Sequence, residues 1–257
     1  TTAKLRKRVV AKKARVSAND IRQAAALLNS RIVATPMIPA PSLSELLGCS
    51  LHLKLENLQY TSSFKARGAA VAMTHLTATH KRRGVITMSA GNHAQAVAFR
   101  AREEGVKATI VMPKQTPFSK VERTRSHGAD IILTGRRLDE CEATVIEYQE
   151  KHGALLIHPY DNAHVISGQG TVGLEMMNTV PDLDILVVPI GGGGLMAGIS
   201  IIAKDINPDI KIIGVQAELY PSMHQTMRGE TVICGGETLA EGIAVKSPGA
   251  LTTPVIS

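Results

Sequence analysis

With 257 residues, 44% of them hydrophobic, the chain can bury roughly three-quarters of its unfolded surface, so one large or two modest domains are expected. Aromatic residues make up 3% and tryptophan is absent, which argues against an aromatic nucleic-acid platform; Cys49, Cys141 and Cys234 lack C-x-x-C spacing, which argues against a zinc site or disulfide framework and fits a reducing cytoplasm. The formal charge of +7 belongs to a basic arm, residues 1–16, where Lys4, Arg6, Lys7, Arg8, Lys12, Lys13 and Arg15 stand without an acid; the basic residues beyond it equal the 22 acids in number.

The arm reads first as a solvated tail, with a targeting remnant or a nucleic-acid arm as alternatives. After it, Ser17-x-x-Asp20 has the form of a capping box ahead of Ile21, Ala24, Ala25 and Leu28, whose spacing predicts an amphipathic helix. Pro36, Pro39 and Pro41 then break the chain. Seven short runs are predicted as strands: 52–56, 84–89, 108–112, 130–133, 155–158, 185–190 and 211–216, several apolar on both faces as buried parallel strands are. Helical patterns lie between them, one through Val97, Ala98 and Ala101 to a stop at Gly105, another through Leu138, Cys141, Val145 and Tyr148 to a stop at Gly153. This alternation predicts an α/β fold with parallel sheets. The most apolar stretch, 183–200, is interrupted by Asp184, Pro189 and a glycine run, so it is not a membrane span. After Gly249 the chain runs through Pro254 to Ser257 with no closing helix expected, and it reads as a fragment lacking a C-terminal part.

Three segments carry chemistry. The strand Ile185–Ile190 leads into Gly191, Gly192, Gly193 and Gly194 and then an apolar helix, an order that gathers bare backbone N–H groups at a helix N-terminus, where an anion such as phosphate is favoured. Gly192, Gly194 and Ala197 also satisfy G-x-G-x-x-A, with Glu218 as a possible ribose acid, so a nicotinamide-binding domain is a rival. The second segment, Thr61-Ser62-Ser63-Phe64-Lys65-Ala66-Arg67-Gly68, places Lys65 in the first turn of a small-residue helix, where the dipole favours its neutral, nucleophilic amine. The third, Ser89-Ala90-Gly91-Asn92-His93-Ala94-Gln95, ends a strand and opens a helix with the donors that a carboxylate needs.

Taken together, Ser63–Ala69, Ser89–Gln95, Ser167-Gly168-Gln169-Gly170-Thr171 and Gly191–Leu195 resemble the successive signatures of the fold-type II pyridoxal-phosphate enzymes, specifically the threonine dehydratases and serine racemases, over residues 17–257. The resemblance implies a tryptophan synthase β-like architecture of two parallel-sheet domains with the cofactor in the cleft: residues 17–78 with 155–257 as the large domain, and 79–154 as a small mobile one. It implies that Lys65 carries pyridoxal 5'-phosphate as a Schiff base, that Gly191, Gly192, Gly193, Gly194 and Leu195 bind the phosphate, and that Phe64 packs on the ring. Asn92 would meet the phenolic oxygen, and Ser89, Asn92 and His93 the carboxylate of a small hydroxy-amino acid.

The implied reaction is elimination from L-threonine to 2-oxobutyrate and ammonia by a homodimer or homotetramer, with no nucleic-acid or membrane partner; serine racemase and 3-hydroxyaspartate dehydratase are the alternatives within the family. Related racemases place a serine where Ala90 stands, and a methyl group cannot shuttle a proton, so racemisation is not expected. Relatives that bind a divalent cation use acidic residues in the segment matching 216–222, which here offers only Glu218, so no metal is expected. Glu241 stands where aspartate is more usual, and the family's C-terminal serine-glycine-glycine-asparagine stretch has no counterpart in this sequence.

Overall fold

The computed structural model describes residues 16–257, so the basic arm before Val16 lies outside the described residues. Helix α1 (Ala18–Leu28) begins at the predicted cap: Ser17 Oγ accepts from the Asp20 N–H at 3.2 Å, and the Asp20 carboxylate accepts from the Ser17 N–H at 2.8 Å. That exchange satisfies two donors the helix would otherwise leave free, and Ile21, Ala24 and Leu28 form its buried face. Strand β1 (Met37–Pro39) is one that the prolines concealed. It pairs antiparallel with β2 (His52–Lys54) across helix α2 (Pro41–Leu47), and Pro39 is tolerated because a two-stranded ribbon consists only of edges. The strand predicted over 52–56 stops at Lys54; Glu56–Leu58 form a 3-10 turn instead.

Next come α3 (Lys65–Thr74) and α4 (Ala78–Arg83), then β3 (Val85–Met88), α5 (Asn92–Glu103), β4 (Ala108–Met112), α6 (Phe118–Arg125), β5 (Asp130–Leu133), α7 (Glu142–His152) and β6 (Leu155–Leu156). The four strands form one parallel sheet in the order β5-β4-β3-β6. All five residues of β4 are buried, the pattern of a strand covered on both faces. Gly153 ends α7 in the left-handed conformation with its N–H on Gln149 O, as the predicted stop requires. Helix α8 (Ala163–Thr179) then leads to β7 (Ile185–Pro189), α9 (Gly194–Ile206), β8 (Lys211–Val215) and α10 (Ser222–Met227), with β7 and β8 parallel. The closing run does fold, contrary to expectation: Thr253–Ile256 form a short helix α11, and Pro254 fits because it sits in the first turn, where no N–H is needed.

Two packing devices position the site. One is helix α8, whose Ser167–Thr171 signature turns out to be a double crossing. A Cβ on Gly168 would lie 2.7 Å from Gly68 Cα in α3, whereas one on Gly198 in α9 would lie 2.6 Å from Gly170 N. Residues two apart in a helix point to opposite sides, so α8 receives the lysine helix on one face and the glycine-loop helix on the other at backbone contact. The other device is Arg67, fully buried in α3 two residues after Lys65. Its guanidinium donates to both Glu56 oxygens at 2.8 and 2.7 Å, to both Glu175 oxygens at 2.5 and 2.8 Å, and to Thr171 Oγ1 at 3.1 Å. Lys54 Nζ also reaches Glu175, at 2.5 Å. Burial alone would lower the Arg67 pKa; the two carboxylates outweigh it and hold the pKa above its ordinary value.

Around these, Ala69, Met73, Val85, Val97 and Ile110 share one core between α3, α5 and the four-stranded sheet, and Val172, Val188, Ile190, Met196 and Ile199 share a second beneath α9. Each fully buried aliphatic side chain contributes about 2 kcal/mol. The outward face of β7 and β8 remains open, with Ile185, Val187, Ile213 and Val215 exposed. Replacing Arg67 with methionine leaves Glu56 without its cation and Glu175 with Lys54 alone. The expected loss is about 3–5 kcal/mol, read as a lower denaturant midpoint; an unchanged midpoint would show that the network contributes nothing to stability.

Candidate active site

The order β5-β4-β3-β6 makes the chain leave β3 toward β4 on one side and return to β6 on the other, so the carboxyl ends of β3 and β6 flank a switch point, where α/β sheets open a crevice for ligands. Ser89–His93 leave from one strand and Ile157–Asp161 from the other. They meet at the Ile157 carbonyl, which accepts from His93 Nε2 at 2.9 Å and from Thr87 Oγ1 at 2.7 Å. His93 is thereby fixed with its proton on Nε2 and a bare Nδ1 that finds no partner among the described residues. Burial, with Lys65 nearby, pushes its pKa down to about 3, so the ring is neutral. Ser89 Oγ accepts from the Gly91 N–H at 3.3 Å, and Asn92 stands exposed at the head of α5, where first-turn N–H groups point outward.

Lys65 opens α3 as the sequence predicts. The backbone reaches it through Thr61 and Ser62, both left-handed at φ 58° and 54°, a conformation that costs a non-glycine residue energy and concentrates near functional sites. Lys65 Nζ donates to the Pro159 carbonyl at 2.7 Å. Among the described residues it has no carboxylate partner, and desolvation lowers its pKa from 10.5 to about 8. Phe64 lies against the core that contains Ile190 and Met196, alongside Leu195, which brings the start of the lysine helix to the glycine loop.

The loop itself runs from β7 into α9, with Gly193 left-handed at φ 96°. A Cβ on Gly192 would fall 2.3 Å from the Tyr160 ring, and one on Gly193 would fall 2.6 Å from Thr252 Oγ1. Glycine is therefore required, and the Gly192 carbonyl is fixed from behind by the Gly249 N–H at 3.1 Å and Thr252 Oγ1 at 2.7 Å. Near the head of α9 the N–H groups of Gly194, Leu195 and Met196 have no intrahelical acceptor. A backbone cradle of this kind fits a phosphate.

The sequence reading missed the strap that joins these parts. Ile157–Asp161 bonds His93 through Ile157, Lys65 through Pro159 and the glycine loop through Tyr160, while the Asp161 carboxylate accepts from Ala250 and Leu251 N–H at 3.0 and 2.7 Å. Its one signal in the sequence was its place at the end of a strand, and strand order was needed to give that meaning. In the segment compared with cation sites, Gln216 Oε1 accepts from His224 N at 2.9 Å while its amide donates to the carbonyls of Ile190 and Tyr220 at 3.4 and 3.2 Å. A neutral amide thus ties this loop. Among the described residues no three His, Cys, Asp or Glu side chains gather to hold a metal ion, and no helix is long and apolar enough to cross a membrane.

A lysine at a helix head, a backbone phosphate cradle and parallel sheets opening onto them define a class of α/β enzyme that works on a phosphorylated carbonyl cofactor. Residues 10–257 match the family described as "Pyridoxal-phosphate dependent enzyme", and the chain belongs to it. This membership sets aside the dinucleotide reading of Gly192, Gly194 and Ala197. The chain is 46% identical over 243 residues to the L-threonine ammonia-lyase of Thermotoga maritima, covering 94% of this chain and 61% of that enzyme. Among solved structures, maize serine racemase superimposes with a TM-score of 0.88 at 36% identity, covering 94% of this chain and 75% of that one. The processed form of threonine deaminase isoform 2 from Solanum lycopersicum superimposes with a TM-score of 0.84 at 35% identity, covering 94% and 69%. The chain spans about three-fifths of the length of the ammonia-lyases it resembles.

The Lys65 amine yields a direct test. Modification of the cofactor-free protein by an amine reagent, followed by peptide mapping, is expected to show Lys65 reacting with a pH midpoint near 8, because the neutral amine predominates above that value. A midpoint at 10.5 would show a solvated lysine.

Proposed function

We propose that this chain carries the activity of a pyridoxal-phosphate-dependent threonine ammonia-lyase, converting L-threonine to 2-oxobutyrate and ammonia. The observation that carries the reading is the Lys65 amine, desolvated, free of any carboxylate among the described residues and tied by Pro159 to the strap that lies on the glycine cradle. The likeness to the Thermotoga maritima L-threonine ammonia-lyase supports the choice of substrate. In this reading Gly191–Gly194 and Leu195 hold the phosphate, Phe64 packs on the ring and Asn92 meets the phenolic oxygen. Ser89, Asn92 and the first-turn N–H groups of α5 take the substrate carboxylate. His93 contributes its backbone N–H to that site, since its neutral ring is committed to Ile157.

Pyridoxal phosphate, when bound, supplies the electron sink that stabilises negative charge at the substrate Cα. Lys65 Nζ would take the α-proton, which its lowered pKa allows near neutral pH. The bond from Cβ to the hydroxyl oxygen breaks and that oxygen leaves, with a proton, as water. Addition of one water to the released enamine then expels ammonia, so the net change is threonine to 2-oxobutyrate and ammonium. Residues 79–154 act as the smaller, closing domain against 17–78 with 155–257; the parallel sheet formed by β3, β4 and β5 with their helices supports this, although β6 continues it to Leu156. The free cysteines support a reducing compartment such as the cytoplasm.

The test is the visible spectrum with and without borohydride, together with product formation from L-threonine. The cofactor band is expected to be fixed by reduction onto Lys65, and Lys65→Ala is expected to lower kcat by roughly a thousandfold. Failure of a lysine-bound band to form would refute the assignment. In this reading, Ala90 stands where a racemase would need a second acid, so L-serine is expected to give pyruvate with negligible D-serine. Rapid D-serine formation would favour the racemase reading, to which the likeness to maize serine racemase otherwise lends weight.

A further inference from the structure

Within the strap, one side chain shapes the turn that carries Pro159 and Tyr160. His158 Nδ1 accepts from the Asp161 N–H at 2.8 Å and from the Tyr160 N–H at 3.4 Å. Neither N–H donates to a backbone carbonyl, and Pro159 has no N–H of its own, so the backbone alone cannot close this turn. An acceptor on residue i that receives the N–H groups of i+2 and i+3 does what an asparagine or aspartate oxygen does in an Asx turn. The ring is also braced edge to face against Tyr160, with centroids 4.7 Å apart at 87°. What the turn presents is specific: the Pro159 carbonyl to Lys65 Nζ, the Tyr160 ring to Gly192 and the Tyr160 backbone and Cβ to Gly194, with the Tyr160 hydroxyl donating to the Ser247 carbonyl at 2.8 Å.

We propose that His158 is a positioning residue for Lys65 and for the phosphate cradle: by accepting the Tyr160 and Asp161 N–H groups it fixes the turn on which the Lys65 amine and the glycine loop are both seated. The inference rests on the reading of Lys65 as the cofactor lysine. The ionisable groups that bear on the ring are Lys65, Asp161 and His93. Burial and Lys65 act against protonation while Asp161 acts for it, and the net effect keeps the pKa below its ordinary value, so that Nδ1 stays available as an acceptor. With Nδ1 accepting, the neutral ring carries its proton on Nε2.

The experiment compares the intact protein with His158→Asn, His158→Leu and His158→Gln. Asparagine restores an acceptor at Asx-turn distance, leucine fills the space without one, and glutamine carries its oxygen one bond too far. The readouts are pyridoxal phosphate Kd and the intensity of the lysine-bound cofactor band, with the unfolding midpoint of the cofactor-free protein measured alongside. Leucine is expected to weaken cofactor binding by about tenfold or more and asparagine to restore it, because a small displacement of the reacting group is costly. A purely structural role would lower the midpoint without the asparagine and leucine variants parting in cofactor binding. Leucine binding the cofactor as the parent does, or asparagine failing as leucine does, overturns the inference. If the leucine variant does not fold, asparagine against glutamine decides: parent-like asparagine with impaired glutamine supports the acceptor role, and equal behaviour overturns it. A parent with no lysine-bound band overturns the reading of Lys65 and this inference with it, whereas a parent with the band and indifferent variants overturns this inference alone.

Discussion

The site depends on how a guanidinium is buried beside it. Arg67 is fully enclosed two residues beyond Lys65, in the first turn of α3, where the helix dipole already disfavours cations. Its burial requires Glu56 and Glu175, and Lys54 shares Glu175, so two cations and two carboxylates close on one another. Both acids are thereby committed to Arg67 and Lys54. Lys65 is left with a neutral carbonyl as its partner, desolvation becomes the dominant influence on its amine, and the pKa falls to about 8. A carboxylate beside Lys65 would instead have held the amine protonated and poorly nucleophilic. Arginine suits this position better than lysine because its planar fork meets both acids with paired hydrogen bonds.

The same economy explains the small residues of α8. Gly168 and Gly170 look inert in the sequence, yet they let α3 and α9 approach within backbone contact on opposite faces of one helix. A lysine at the head of one helix and a phosphate cradle at the head of the other are thereby fixed relative to a shared middle helix, and Thr171 of that helix also accepts from Arg67. Packing and electrostatics meet on one turn of α8, where interiors yield least.

Much of this was legible beforehand, for identifiable reasons. Short, β-branched runs such as Ala108–Met112 suit strands buried on both faces, and Ser17 with Asp20 can satisfy a helix start whatever surrounds it. The placement of Lys65 and of the glycine run at helix heads was legible because it is set by their immediate neighbours. The strap was not legible, since Pro159 and Tyr160 acquire their roles only when β6 is known to lie beside β3. Strand β1 and helix α11 were hidden by prolines that a ribbon edge and a first helical turn tolerate. His93 was visible, but its burial against the Ile157 carbonyl, which makes the ring neutral, was not.

A phosphate brought close to Lys65 would raise the pKa of the amine again, so a site that needs both a neutral amine and an anion has to keep them apart. The strap touches each at a different residue. Lys65 Nζ is held by the Pro159 carbonyl, while the glycine cradle is covered by the ring of the following residue, Tyr160, whose own hydroxyl is kept protonated by burial, its pKa pushed up to about 12. The phenol adds no charge to the strap, and neither does the neutral ring of His93. In the proposed reading the strap thus joins an anion-binding cradle of backbone N–H groups at one end to a reactive amine at the other.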